Sequence, residues 1–112
     1  MAGSLGELEQ LLLLGLMRRS GEASGIELRQ ELSERAGRDL LPGAVYTIME
    51  RLRIRDYVSS YTGETTSTRG GRRRKYYRMT ARGERALAES YQQVARMAEG
   101  LAEALHTRLE QK

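Results

Sequence analysis

Four segments of the chain carry apolar residues at helical spacing, and two short segments have the composition of β-strands. The first helix is predicted to begin at the capping box Ser4–Glu7 and to run to about Ser20. Its leucines cover nearly the whole circumference, whereas packing on one small domain requires an apolar stripe on one side only. The excess predicts a second apolar neighbour for this helix, for which a partner subunit is the best candidate.

The next two helices are short and close together. A second capping box, Ser24–Glu27, opens a helix that runs to about Arg35, and Gly37 follows in the usual C-terminal position. A third helix is predicted from Pro42, because a first turn tolerates proline, to about Arg55. Its apolar side consists of Val45, Ile48, Met49 and Leu52. The polar and cationic opposite side favours a helix-turn-helix, although an ordinary helical hairpin with a charged outer face fits the same pattern.

The two strand-like segments are Tyr57–Thr62 and Lys75–Met79. Between them, Gly63–Gly71 is too polar to pack and is expected to form a mobile tip. Two strands joined by a basic tip, placed after a helix-turn-helix, make a wing. By alternation, Tyr77 faces the core and Arg78 faces the opposite side of the strand.

Thr80 is expected to cap a long last helix from Ala81 to about Leu109. Its apolar residues form a heptad seam that consists of Leu87, Tyr91, Val94, Ala98, Leu101 and Leu105. A seam of under three heptads with Gly100 inside it is too weak for an isolated coiled coil. Packing on the first helix of a second subunit is therefore favoured over packing on the same domain. The expected dimer contacts on the first helix are Leu8, Leu12 and Leu16.

These elements predict a mainly α protein of the α+β class. Residues 1–79 would form a winged helix-turn-helix with a two-stranded wing, and residues 80–112 a dimerisation helix. A chain of 112 residues is large enough for one modest core, which a partner would enlarge.

The net charge of +4 is unevenly distributed. Residues 51–85 carry eleven Arg and Lys against three acidic residues, a charge of +8, which leaves −4 for the remainder. The densest part is Arg69–Thr80, where cationic side chains surround two glycines and lead into a strand. Because guanidinium groups bind phosphate oxygens two at a time, this region suits a polyanion. A solvated charge run on a surface hairpin is the simpler alternative.

Composition argues against several other classes of protein. The absence of cysteine excludes a disulfide framework and a thiolate metal site, which fits a reducing compartment. The apolar run Leu11–Met17 is too short to cross a bilayer and follows two acidic residues, so a cytoplasmic protein is expected. The lone His106 lies near a helix end, where a cation suits the dipole. We therefore expect no metal, no cofactor and no catalysis.

In this order and spacing, the segments resemble the PadR family of bacterial winged-helix transcriptional regulators. The resemblance extends from about Leu8 to Ala88. It is carried by Gly25–Leu28, Pro42–Tyr46, Arg51–Leu52, Arg74–Thr80 and Gly83. The chain departs from the family at Ser24–Ile26, where a His-Gly-Tyr type of entry is usual, and at Ala44, where a serine is usual.

The resemblance implies a homodimeric repressor that binds double-stranded DNA at a pseudo-palindromic operator, with Tyr46 donating to a phosphate. The third helix would enter the major groove while the wing follows the flanking backbone. The expected DNA contacts are Gly43, Ala44, Tyr46, Thr47, Arg51, Arg69, Arg72, Arg73, Arg74 and Lys75. Glu50 is expected either to accept from a cytosine amine or to position Arg51 by pairing with it.

A competing interpretation is a winged-helix module that binds protein or RNA through the same basic wing. Some small members of the family hold flat aromatic drugs between tryptophans, but this chain has no Trp and no Phe. An effector pocket could still exist at the dimer centre, where a plain core is the alternative. Its expected lining is Leu13, Met17, Tyr91, Met97 and Leu101. No defined small-molecule effector is predicted.

Overall fold

The computed structural model of the protein describes residues 5–63 and 74–111. Its elements are α1 (Glu7–Arg18), β1 (Glu22–Ser24), α2 (Gly25–Ala36), α3 (Pro42–Ile54), β2 (Val58–Thr62), β3 (Lys75–Met79), α4 (Ala81–Ala98) and α5 (Ala102–Glu110). The strands form one antiparallel sheet in the order β1-β3-β2. Three helices packed on a small sheet with a β2–β3 hairpin confirm the predicted winged helix-turn-helix of the α+β class.

The first helix lies at the centre of the domain. α1 packs against α2, α3, α4 and the strands β1 and β3. Its N-cap is Gly6, whose N–H donates to Glu9 Oε1 at 2.8 Å, so the predicted capping box at Ser4 is corrected. Most of the leucine side chains of α1 are therefore buried or partly buried by neighbours within the same chain.

The helix-turn-helix is defined by local capping. Ser24 Oγ accepts from the N–H of Glu27 at 3.2 Å, and Glu27 Oε1 accepts from the N–H of Ser24 at 2.8 Å. Gly37 ends α2 in the left-handed conformation with φ of 65°. α3 begins at Pro42, and its predicted apolar side is buried. These features of α2 and α3 confirm the sequence prediction.

The strand β1 adds to the two strands that the sequence predicts. It pairs with β3, with Glu22 opposite Arg78 and Ala23 opposite Tyr77. A segment of three residues is too short to show an alternation pattern. β1 exists because β3 offers a second edge after pairing with β2.

The single C-terminal helix that the sequence predicted is two helices. α4 ends at Ala98, Gly100 has φ of 81°, and α5 begins at Ala102. Glycine adopts the left-handed region without the steric cost of a Cβ, so the chain turns at this position. The heptad seam is therefore interrupted between Ala98 and Leu101.

Three of the predicted dimer contacts belong to the domain core. Leu12 and Leu16 are 0% exposed and Leu87 is 2% exposed, so these side chains offer no surface to a partner. The prediction is corrected for them: the apolar neighbour that each requires lies in the same chain. Leu8 is partly buried against the same core.

Most of the other residues of the predicted seam are exposed to solvent. Apolar side chains of α4, α5 and the turn between them are at least half exposed: Tyr91, Val94, Met97, Leu101, Leu105 and Leu109. Ala98 is half-buried, and every residue of α5 is exposed. Among the described residues, no helix is both long and apolar enough to cross a membrane.

Candidate nucleic-acid interface

The outward side of α3 carries most of the contact residues that the sequence predicted on this helix. Gly43, Tyr46, Thr47 and Arg51 are exposed, and Ala44 is half-buried. Val45, Ile48, Met49 and Leu52 anchor the opposite side in the core. Thr47 Oγ1 donates to the carbonyl of Gly43 at 2.9 Å, so its oxygen remains able to accept.

The outward side of α3 is joined to the wing through Lys75, the first residue of β3. Lys75 Nζ lies 3.0 Å from Glu50 Oε2 and 5.0 Å from the ring centroid of Tyr46. Glu50 Oε1 is in turn 3.0 Å from Arg53 Nε. We call Tyr46, Glu50, Arg53 and Lys75 the junction cluster. It fixes the base of the wing relative to α3.

The expected pairing of Glu50 with Arg51 is wrong. Residues adjacent in a helix point about 100° apart, whereas residues three apart lie on one side. Arg53 satisfies that spacing, and Lys75 reaches the same carboxylate from β3.

The junction cluster determines the ionisation of its carboxyl. Partial burial alone would raise the pKa of Glu50, but the hydrogen bonds from Lys75 and Arg53 outweigh it and lower that pKa. Glu50 is therefore ionised at neutral pH and neutralises charge on the outward face. Behind the cluster, burial raises the pKa of the Tyr77 phenol to about 12.

Arg51 lies on the other flank of α3, beside the start of α1. With Leu8, Arg38 and Ile48 it lines a cleft of about 460 Å³. Arg38 forms an ion pair with Glu7. Within residues 5–63 and 74–111, the guanidinium of Arg51 makes no hydrogen bond or ion pair, so it is available to a ligand.

The predicted wing cations are only partly covered by the structure. Arg69, Arg72 and Arg73 lie outside the described residues. Arg74 is exposed, and its carbonyl accepts from the N–H of Gly63 at 2.7 Å, which extends the β2–β3 hairpin by one pair. Arg74 and Lys75 thus stand at the base of the wing.

A second charged cluster lies on the opposite side of the sheet and was not predicted. Arg78 Nε donates to Glu22 Oε1 at 2.6 Å, and the hydroxyl of Tyr61 donates to Glu22 Oε2. The guanidinium of Arg78 is 4.7 Å from the Tyr61 ring centroid, and Tyr61 stacks on Tyr76 at 5.3 Å. No local signal could reveal this cluster, because it requires the unpredicted strand β1.

In the part of the chain that the structure describes, no group of three or more His, Cys, Asp or Glu side chains is placed to hold a metal ion. An apolar groove of about 500 Å³ lies between α1 and α2. Its apolar lining includes Leu11, Leu14, Met17, Leu32 and Ala36.

Solved structures of other proteins share this architecture. A PadR-like transcription factor from Bacteroides fragilis is 30% identical with a TM-score of 0.67, over 85% of this chain and 89% of that chain. A PadR family transcription regulator from Clostridium difficile is 25% identical with a TM-score of 0.67, over 89% and 98%. A winged-helix DNA-binding protein from STIV has the same fold at 16% identity, with a TM-score of 0.67 over 85% and 95%.

The family model described as the transcriptional regulator PadR-like family matches residues 13–89, from the middle of α1 to the middle of α4. That range contains α2, α3, the wing strands and the junction cluster, which are the parts that form the candidate interface. The chain therefore belongs to the transcriptional regulator PadR-like family.

Proposed function

We propose that the protein is a transcriptional repressor that binds a pseudo-palindromic DNA operator as a homodimer. The observation that carries the proposal is the outward side of α3 together with the base of the wing. Exposed hydroxyls and cations converge there on one surface, in a chain of a transcriptional regulator family. Phosphates and base edges are the partners that such groups bind in DNA.

In the proposed complex, the start of α3 lies deepest in the major groove. A side chain at Gly43 would meet no atom within 4 Å, so the helix surface there is open to close approach by a base pair. Thr47 and Arg51 are placed to contact base edges, and Tyr46 a phosphate. Arg74, Lys75 and the predicted cations Arg69, Arg72 and Arg73 would neutralise flanking phosphates.

The proposed dimer uses the exposed apolar residues of α4 and α5. A row of half-exposed side chains, including Tyr91, Val94 and Leu101, is a large apolar surface for so small a chain. Residues 80–112 would thus serve dimerisation, and residues 1–79 DNA binding, with the α1–α2 groove as a further surface for the partner. Two-fold symmetry would set the two α3 helices roughly 34 Å apart, one turn of DNA.

Repression follows in this proposal from occupancy of promoter DNA. A dimer that covers two half-sites excludes polymerase from the same segment.

A gel-shift competition tests the proposal. The labelled probe is a duplex from the DNA upstream of the protein's own gene, and the competitors are the same duplex, an unrelated duplex and an RNA of equal length. We expect the upstream duplex to compete best, with an affinity that falls as salt rises. Equal competition by unrelated duplex at every salt concentration would overturn the operator hypothesis, and preferential competition by RNA would favour an RNA-binding module.

A further inference from the structure

Glu50 is an acidic residue between the cations Arg53 and Lys75 on the outward surface of α3 and the base of the wing. It lies on the outward side of α3, one turn after Tyr46 and Thr47. Its side chain is 20% exposed, and each of its oxygens has a cationic partner at 3.0 Å. Lys75 and Arg53 keep 34% and 43% of their side-chain surface exposed, so phosphate oxygens can compete for them.

The pairing changes how this surface meets DNA. Non-specific binding depends almost entirely on cations that neutralise phosphates. Two of the cations beside α3 are already neutralised in the free protein, and the carboxylate that holds them repels phosphate oxygens. A duplex that offers only its backbone must therefore displace Glu50 to reach Lys75 and Arg53.

A specific duplex can compensate for that displacement. Base edges in the major groove include donors, and the cytosine amine is the one that a carboxylate accepts from. An operator that makes base contacts with α3 regains free energy that an unrelated sequence does not. The carboxylate of Glu50 thus weakens complexes with non-operator DNA more than complexes with the operator.

We propose that Glu50 is a specificity-determining residue that lowers the affinity for non-operator DNA by holding Lys75 and Arg53 in ion pairs on the interface. The inference rests on the proposed function, because it concerns the ratio between operator and non-operator binding.

The chain supplies a matched control at Glu22. That carboxylate also holds two partners, Arg78 and Tyr61, and it lies on the other side of the sheet. Glu22→Gln and Glu50→Gln change the net charge equally and are nearly isosteric. A difference in DNA affinity between the two variants therefore reflects where the carboxylate lies, and not the general attraction of a more basic protein to DNA.

The experiment measures the dissociation constants of wild type, E50Q, E22Q and the double variant E50Q/K75Q for the upstream duplex and for an unrelated duplex, over a range of salt. For E50Q we expect binding to unrelated duplex about tenfold tighter, with a salt slope steeper by up to about 1.8 for two further phosphates. The upstream duplex should gain less, so the specificity ratio falls. E50Q/K75Q should lose about half of the added slope.

Each result has a definite meaning. E50Q that binds unrelated duplex no more tightly than E22Q, or that tightens both duplexes equally, would overturn the role of Glu50 while leaving the operator hypothesis intact. Wild type that binds both duplexes equally would overturn the proposed function and the specificity role with it. Circular dichroism and thermal unfolding show whether each variant is folded under the conditions of the binding measurements.

Discussion

At the residue scale, Gly83 is a position where the first turn of α4 closely approaches the backbone of another segment. A Cβ built on Gly83 would lie 2.0 Å from the carbonyl oxygen of Tyr57. The N–H of Thr80 donates to that same oxygen at 3.1 Å, and Thr80 Oγ1 donates to the carbonyl of Asp56 at 2.7 Å. The first turn of α4 therefore sits directly on the backbone between α3 and β2, and backbone atoms cannot rotate away as a side chain can.

We predict that Gly83→Ala lowers the free energy of unfolding by about 2–3 kcal/mol, because the methyl group forces α4 away from its attachment. Gly25→Ala is the control: Gly25 is also in the first turn of a helix, but nothing lies within 4 Å of its added Cβ. That change should be neutral or stabilising by up to about 1 kcal/mol. Urea denaturation of both variants gives the comparison, and equal midpoints would show that α4 tolerates the methyl group.

Tyr77 provides a test by pH. Because burial raises its pKa from 10.0 to about 12, folding favours the neutral phenol. Its contribution to stability is complete below pH 10 and is lost as the pH rises through about 12. We predict that the free energy of unfolding falls more steeply in wild type than in Tyr77→Phe across this range. Parallel curves for the two proteins would mean that Tyr77 ionises as easily in the folded state as in the unfolded one.

At the scale of elements, the exposed apolar side of α4 is the surface through which the proposed dimer would form. Val94 is 58% exposed and lies between Tyr91 and Ala98 on the same side of the helix. A carboxylate at this position would be buried without a partner in the proposed dimer. We predict that Val94→Glu weakens dimerisation by about 3 kcal/mol, more than a hundredfold in the dissociation constant.

Sedimentation velocity over a range of protein concentrations measures this effect. Gln92→Glu adds the same charge on the opposite side of α4 and should leave the dimer intact. If Val94→Glu sediments as a dimer like the wild type, the dimer does not use this side of α4, and the proposed division at residue 80 must be revised.

At the scale of the whole molecule, sequence preference and general affinity should reside in different parts of the surface. Arg51 lies on α3, whereas Arg74 stands at the base of the wing. We predict that Arg51→Ala relaxes sequence preference at a cost of about 1–3 kcal/mol on the operator. The combined change of Arg72, Arg73 and Arg74 to alanine should weaken all duplexes alike and make the salt slope shallower.

Footprinting and salt titrations on the upstream duplex separate the two effects. If the triple variant binds as tightly as the wild type, the wing does not contribute to the DNA interface. An Arg51→Ala variant with unchanged sequence preference would assign base recognition to other residues of α3.

Much of the fold follows from short-range patterns in the sequence. Ser24 with Glu27, Gly37 and Pro42 mark helix ends because capping and backbone preferences act within one turn. The basic region 51–85 is equally visible, since charge adds up along the chain whatever the fold. The α+β class, α2, α3, the wing strands and the exposed side of α3 were predicted on these grounds.

Which surfaces meet depends on contacts between segments that are distant in the sequence. An apolar position such as Leu12 requires a neighbour, but its spacing does not say whether that neighbour is in the same chain or a second one. In the same way, Glu50 reaches Lys75 across 25 positions of sequence, and Glu22 reaches Arg78 only through β1. Interactions between near neighbours in the chain specify α2, α3, the wing strands and the location of the charge, so these could be predicted from the sequence. The core membership of the leucines and the partners of the carboxylates depend on contacts between distant segments, which only the folded chain brings together.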